Sequence, residues 1–589
     1  MFTVLRHPER GWLGLPSVSK YLYEDTYFLP GEVYEAWLVR ITNLYSNDSD
    51  HAERMSTYIS NYWFHPSTPI STSKGLPISC FTGMVPDSKE GIFLSYDESN
   101  WLGSHGGGLG WDWSQVREVG HVVGSDGGTS SGVIPFLGIS DRATLAISQG
   151  GSRRASQAVY LDVSHPEIEE FIDLRKPVGD QNRRCPNLHH GVNITDAFME
   201  AVINDQPWNL ISPKSGEIIK TVSAKYLFNK ILDVRTTLKG EPYLNFIDTV
   251  NLLSPFEYKH QHISVITSNL CTEITLRTDE THSGVCCLGS INLEYWDEYS
   301  APDIFDQFIA DCSDFLDNVL QVFIDKTKDL SGFQRARNGA IDERSIGLGV
   351  MGDHSLLQSK LIPIESPMAK ALNIKIHKAI AESAHKHNIS SKTSICPMAQ
   401  RSGTTKRNIH VTAIAPTMSI SNLCNMTSSG IEPWLTNHFV VDLKQGSFTV
   451  TNKYLKQYII NYATEHDLTE TWVYAQWKDI SKHQGSVQQL PWMDPYIKSV
   501  FKTAYEIDQS WLIERASDRQ QYVDQAQSLN LFIPGNSHVN YIADLHILAW
   551  KKKVKSLYYL RSTAVNRASA EIKTREAINI SDAECLACQ

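Results

Sequence analysis

The chain has 589 residues and a mass of 66.3 kDa, with 41% hydrophobic and 20% charged residues, a formal net charge of −11 and a pI near 6.0. That acidic balance excludes a general nucleic-acid or membrane-surface binder, leaving room only for a local basic pocket for phosphates. No apolar run reaches the roughly 18 residues of a membrane span, and the opening MFTVLRHPERGWLGLP lacks the pattern of a signal peptide.

Residues 1–64 are rich in aromatic and charged side chains, and GEVYEAWLVRITNLY predicts a helix. From about 65 to 155 short apolar runs alternate with Gly/Ser stretches, GSHGGGLGWDW, GSDGGTSSG and SQGGSRRAS, which read as loops. They match neither a Rossmann fingerprint nor a Walker loop. A strand is expected at QAVYLDV and a helix at HPEIEEFIDLRK, an alternation that points to an α/β sheet or barrel. Two longer helices are expected at IFDQFIADCSDFLDNVLQVFID and SPMAKALNIKIHKAIAESAHKH. No internal repeat is evident, and after residue 560 the sequence turns polar and loses periodicity, as a mobile tail would. Length alone allows about four domains, but one large α/β barrel could absorb most of the chain.

Ten cysteines are too sparse for a disulfide scaffold. A reducing, cytoplasmic setting is expected, where cysteines that matter serve catalysis, redox exchange or metal binding. In SNLCTEIT, Asn269, Cys271 and Glu273 occupy every second position, so an extended segment would put them on one side. A carboxylate two positions from a thiol disfavours the thiolate. The pattern suits a thiol that loses a hydrogen atom, with Glu273 as general base and Asn269 holding a substrate hydroxyl. Cys80 follows Ser79 in PISCFTG, Cys286 and Cys287 adjoin, and Cys585 and Cys588 form C-x-x-C near the end. A structural zinc site needs four ligands, and no second C-x-x-C or nearby His supplies them, so a redox dithiol is the better reading. IAPTMSISN places hydroxyl residues before a helix start, either as an anion cradle or as simple capping. Tyr558 and Tyr559 adjoin in SLYYLRS, either as one core and one surface ring or as stacked redox-active phenols.

Taken in order, STPISTSKGLPISCF, DSKEGI, GGGLG, SGVIPFL, SQGGSRRAS, HPEIEEFIDLRK, SNLCTEITL, CLGSINL, RSIGLGVMGDHSLL, APTMSISN…GIEPW, DQAQSLNLFI, LAWKKKVKSLYYLRS and CLACQ closely resemble the large catalytic subunit of class I ribonucleotide reductase. The resemblance implies a ten-stranded α/β barrel with a central finger loop over residues 71–560, a short helical region over 1–70 and a flexible redox tail over 561–589. It implies reduction of ribonucleotides, diphosphates above all, to deoxyribonucleotides. Cys271 would become the thiyl radical that abstracts the ribose 3′ hydrogen. Glu273 would be the base on the 3′ hydroxyl, and Asn269 its hydrogen-bonding amide. Cys80 and Cys286 would be the reductant pair; Cys287 leaves the partner of Cys80 open at this point, with the C-x-L-x-S-I register pointing to Cys286. Tyr558 and Tyr559 would relay the radical, and Cys585 and Cys588 would re-reduce the active-site disulfide.

The same resemblance assigns Thr68, Ser79 and Gly108 to substrate contact, and Pro416, Thr417, Met418, Ser419, Ile420 and Ser421 to the phosphate loop. Asp87, Arg117, Gln149 and Arg153 would serve a specificity site for dNTP or ATP effectors. It implies a homodimer, Mg2+ with the nucleotides, a thioredoxin or glutaredoxin as reductant, and a radical from a small subunit with a dinuclear metal centre. No metal or covalent cofactor is expected in this chain, nor any nucleic-acid or membrane partner. Only 79 residues precede Cys80, so the family's N-terminal ATP cone is not expected. The rivals are an adenosylcobalamin-dependent class II enzyme, which needs no tyrosine relay, and a non-catalytic nucleotide-sensing homologue. A glycyl-radical class III enzyme lacks its C-terminal motif here.

Overall fold

The computed structural model describes residues 7, 9–124, 127–148, 155–238, 240–390, 395–443 and 446–563. Eleven strands carry the argument: β1 (Phe64–Pro66), β2 (Cys80–Met84), β3 (Gly108–Asp112), β4 (Ser156–Asp162), β5 (His189–Ile194), β6 (Tyr243–Phe246), β7 (Gly284–Asn292), β8 (Ile346–Met351), β9 (Leu531–Ile533), β10 (Ser556–Leu557) and β11 (Leu560–Ser562). Strands β2 to β6 pair in parallel in chain order. A second parallel set runs from β7 to β8, on through the bridges Leu348–Thr412 and Ile414–Gln527, to β9 beside β11. The two sets meet antiparallel at two seams, β7 against β2 and β6 against β10. The ring therefore closes as five parallel segments facing five, the ten-stranded barrel. Closure leaves no long free edge on the ring.

The wall is built from residues that suit double burial. Every residue of β2, β3, β5, β6, β7 and β8 is buried. Outside it, the helix Pro302–Lys326 opens on proline at its first turn and buries Phe308, Cys312, Phe315, Val319 and Phe323 at three- and four-residue spacing. Cys287, on β7, faces this layer: its thiol contacts the Leu316 carbonyl at 3.1 Å. The helices Tyr34–Tyr45 and Ser49–Ser60 and the strand β1 form the N-terminal layer. Among the described residues, no helix is long and apolar enough to cross a membrane.

GGGLGWDW reads as a loop; the structure makes Gly108–Asp112 a central strand. The glycines are there because another chain segment lies against the strand. A Cβ on Gly110 would stand 1.8 Å from the Ser268 carbonyl oxygen. That neighbour is the finger, residues 263–283, which has no helix or strand of its own. Side chains from the wall satisfy its backbone: Asn193 Nδ2 donates to Ile266 O at 2.9 Å, Tyr160 OH to Asn269 O at 2.7 Å and Ser556 Oγ to Thr272 O at 2.9 Å. Such partners are what a buried irregular segment needs, because each unpaired polar group inside costs about 1–3 kcal/mol.

Candidate active site

The finger's tip is a turn. Thr272 has φ +67°, and its N–H donates to Asn269 O at 3.3 Å. Alternation predicts an extended segment with Asn269, Cys271 and Glu273 in one row; the turn instead distributes them. Asn269 Oδ1 folds back to accept from Ile274 N at 3.1 Å. Cys271 packs in a buried cluster with Leu270, Ala158, Tyr160, Tyr243, Tyr558 and Tyr559. The carboxylate of Glu273 reaches the other way: Oε1 accepts from Cys80 Sγ at 3.5 Å, and Oε2 lies 3.2 Å from Ser528 Oγ. The physical reason is closure: a strand-like tip could not turn around inside a ring.

Cys80 and Cys286 are direct Cα partners across the β2–β7 seam. Opposed residues of an antiparallel pair have Cα atoms about 4.5–5.5 Å apart, inside the range that a disulfide spans. Alternation along β7 then sends Cys287 to the outer layer, so geometry favours Cys286 as the partner of Cys80. Both thiols are free and buried in a small apolar cluster with Ile274, Leu276, Leu288, Ala413 and Ala415. Burial first, and then the Glu273 charge, push the Cys80 thiol well above its ordinary range. Burial likewise raises Cys286, partly offset by a hydrogen bond from Gln525. Both are therefore neutral S–H groups at physiological pH.

Ser79 precedes β2, and its carbonyl accepts from Gly108 N at 2.7 Å. Gly108 is in register with Cys80 and lies under Leu270 of the tip. The Ser79 hydroxyl and the Asn269 carboxamide nitrogen sit beside the Cys80 thiol, buried, with no hydrogen-bond partner of good geometry among the described residues. Thr68 opens the helix Thr68–Thr72, its hydroxyl 2.9 Å from Tyr27 OH. Pro416 leads into Thr417 (φ +56°), which begins the helix Met418–Leu423 containing Met418, Ser419, Ile420 and Ser421. Thr417 Oγ1 accepts from Gly430 N at 2.6 Å, and Ser421 Oγ lies 3.1 Å from Ser429 Oγ, tying this loop to SSGIEPW.

Tyr558 and Tyr559 are both buried. Parallel stacking is the expectation for a phenol relay; their centroids lie 4.3 Å apart, but the planes are inclined by 51°. Tyr243 adds a third ring, 4.8 Å from Tyr558 with planes inclined by 48° and 5.1 Å from Tyr559 edge-on at 89°. The Arg561 guanidinium lies 4.1 Å above the Tyr559 ring. Asp87 and Arg117 bind each other: Arg117 Nε donates to Asp87 Oδ1 at 2.9 Å, and the backbone N–H adds 3.1 Å. Lys214 joins at 3.7 Å. Gln149, Arg153, Cys585 and Cys588 lie outside the described residues. Sequence reasoning misses Tyr160, Tyr243, Gln525 and Ser528. Their only signal is their place inside QAVYLDV, EPYLNF and DQAQSLNLFI.

Residues 78–394 and 398–560 match the family described as "Ribonucleotide reductase, barrel domain". The chain belongs to the ribonucleotide reductase large-subunit family. It is 38% identical over 542 residues to the putative ribonucleoside-diphosphate reductase large subunit of Frog virus 3, covering 91% of this chain and 92% of that one. It is 34% identical over 578 residues to the ribonucleoside-diphosphate reductase large subunit of Invertebrate iridescent virus 3, covering 88% and 89%. The vitamin B12-dependent ribonucleoside-diphosphate reductase of Mycobacterium tuberculosis is 30% identical over 525 residues, covering 87% of this chain and 72% of its own length. Among solved structures, the class Id ribonucleotide reductase alpha subunit of Actinobacillus ureae superposes with a TM-score of 0.81 at 29% identity, covering 95% of this chain and 99% of that one. The chain is thus an enzyme of ribonucleotide reduction.

Proposed function

We propose that this chain is the catalytic subunit of a class I ribonucleotide reductase that converts ribonucleoside diphosphates to deoxyribonucleotides by thiyl-radical chemistry at Cys271. The carrying observation is the buried cluster that joins Cys271 to Tyr558 and Tyr559, with the Cys80–Cys286 pair at the opposite seam of the finger. Contiguous buried phenols suit a chain that receives its radical from outside, from a small subunit with a dinuclear metal centre. A class II enzyme, which the mycobacterial relative exemplifies by name, has no use for such a path.

In this reading the Cys271 thiyl takes the 3′ hydrogen, forming S–H and a carbon radical. Glu273 accepts the 3′ hydroxyl proton and Asn269 orients that hydroxyl. The 2′ hydroxyl leaves as water with a proton from Cys80. Cys80 and Cys286 supply two electrons and become a disulfide, and the Cys271 S–H returns its hydrogen to C3′. The balance is one ribonucleotide and two thiols giving one deoxyribonucleotide, one disulfide and one water. Neutral buried thiols favour this, because the protons must be present before the step.

The loop from Pro416 to Ser421 is assigned to the substrate phosphates, bound with Mg2+. Thr68, Ser79 and Gly108 are assigned to the substrate itself. Asp87 and Arg117, with Gln149 and Arg153, are assigned to a dNTP or ATP specificity site at a homodimer interface. Their mutual ion pair would then have to open or rotate on effector binding. Thioredoxin or glutaredoxin would reduce Cys585 and Cys588, and the enzyme would work in the cytoplasm. The test is reduction of labelled CDP with dithiothreitol, comparing a radical-bearing small subunit with adenosylcobalamin. Product with the small subunit supports the reading; product with adenosylcobalamin alone sinks it.

A further inference from the structure

The carboxamide of Gln525 is oriented by the network around it. Its Oε1 accepts from Thr275 N of the finger at 3.3 Å, and its Nε2 donates to Ile346 O of β8 at 3.2 Å. A carboxamide has two N–H donors; the second meets Cys286 Sγ at 3.5 Å. With the oxygen fixed by a backbone donor and one N–H by a backbone acceptor, the amide can stand only one way round. Gly347 leaves the sulfur its room, since a Cβ there would lie 3.0 Å from Cys286 Sγ. Cys80 is placed differently. Its sulfur faces Glu273 Oε1, an acceptor, at 3.5 Å. A fixed donor stabilises a sulfur that carries negative charge, and a neighbouring carboxylate disfavours one. Cys286 thus has a donor in hydrogen-bond geometry, whereas the Ser79 hydroxyl and the Asn269 carboxamide nitrogen beside Cys80 are not in such geometry, and the Glu273 charge weighs more on Cys80 than on Cys286.

We propose that Gln525 is a positioning residue for the Cys80–Cys286 pair: its N–H makes Cys286 the sulfur that leaves as thiolate when a thiol reductant attacks the disulfide at Cys80. The inference rests on the reading of Cys80 and Cys286 as the redox pair. In the step, the incoming thiolate forms a bond to Cys80 Sγ. The Cys80–Cys286 bond breaks, and its electron pair leaves on Cys286 Sγ beside Gln525 Nε2–H. A second thiolate of the reductant then attacks the reductant sulfur bound to Cys80 and releases Cys80. Both protein sulfurs take up the protons that the dithiol lost. Two electrons have moved, and the reductant ends as the disulfide. The asymmetry matters for rate because the better-stabilised thiolate leaves faster.

The test uses the full chain carrying Cys585→Ser and Cys588→Ser, so that no tail thiol competes. One equivalent of diamide and peptide mass spectrometry first establish the Cys80–Cys286 disulfide. Failure to form it removes the redox-pair reading itself, and is told apart from a failure of the Gln525 role because it appears before any reductant is added. A pulse of glutathione is then quenched in acid and the mixed disulfide located. Glutathione is expected on Cys80 in at least about tenfold excess over Cys286. Gln525→Leu should lose that preference and slow the exchange by about tenfold. Gln525→Glu keeps the acceptor for Thr275 N, so it serves as the folded control for packing, and should lose the preference too. Glutathione chiefly on Cys286 in the parent, or an unchanged preference in both variants, would overturn the proposal.

Discussion

Glu273 Oε1 accepts from Cys80 Sγ at 3.5 Å, although the two residues are 193 positions apart. The contact joins the turn of the finger to the seam of the barrel and couples a carboxylate to a thiol. Glu273→Gln keeps the volume and removes the base. Turnover of labelled ribonucleotide should fall by about 10²–10⁴-fold. Diamide should still close Cys80 with Cys286; a full rate in the variant removes Glu273 from the chemistry.

Cys271→Ser replaces a buried thiol by a hydroxyl of similar size. Ribonucleotide reduction should drop to background. Nucleotide affinity measured by equilibrium dialysis should stay within about threefold, because the change touches no assigned phosphate contact. Residual turnover above background would move the radical elsewhere.

Tyr558→Phe and Tyr559→Phe each keep a ring in the cluster and remove an oxidisable phenol. Each should cost at least about a hundredfold in kcat, roughly 3 kcal/mol in barrier. Thermal unfolding should shift little, since the ring contacts with Tyr243 remain. Unchanged kcat in both would favour a radical source that bypasses the pair.

Cys585→Ser with Cys588→Ser should spare activity under dithiothreitol and abolish it under thioredoxin. Equal loss with both reductants would remove the tail relay.

Burial raises Glu343 to about 8, although the Tyr258 hydroxyl lies 2.9 Å from each of its oxygens. The native state therefore holds a proton that the unfolded chain releases near the ordinary carboxylate range. Between about pH 4.5 and pH 8 the folded form binds more protons, so this group makes stability fall as pH rises, by up to about 1.4 kcal/mol per pH unit. Glu343→Gln should flatten the slope of unfolding free energy against pH across that window. Urea titrations at pH 5, 6, 7 and 8 check it; an unchanged slope means that the carboxyl ionises freely in the fold.

Local patterns reveal the long helices and QAVYLDV because their periodicity is a property of adjacent residues. GGGLG misleads because its last glycine, Gly110, answers to Ser268, some 160 positions away in the chain, and no window of sequence contains both. The tip misleads for the same reason. Alternation at Asn269, Cys271 and Glu273 reads as an extended segment until the ring around it forces a turn. The grouping of Cys80 with Cys286 is legible only through family resemblance. Gln525 is invisible because its meaning lies in three contacts from three separate segments.

Gly110 sets the spacing between the barrel wall and the finger. With Ser268 O 1.8 Å from where its Cβ would be, the clearance between wall and finger is smaller than a methyl group. The depth to which the thiol of Cys271 is inserted is thus gauged by a missing atom in a neighbouring strand. Adding that atom would act as a wedge against the backbone of Ser268 and Asn269, backing the sulfur out of its seat without replacing any reactive side chain.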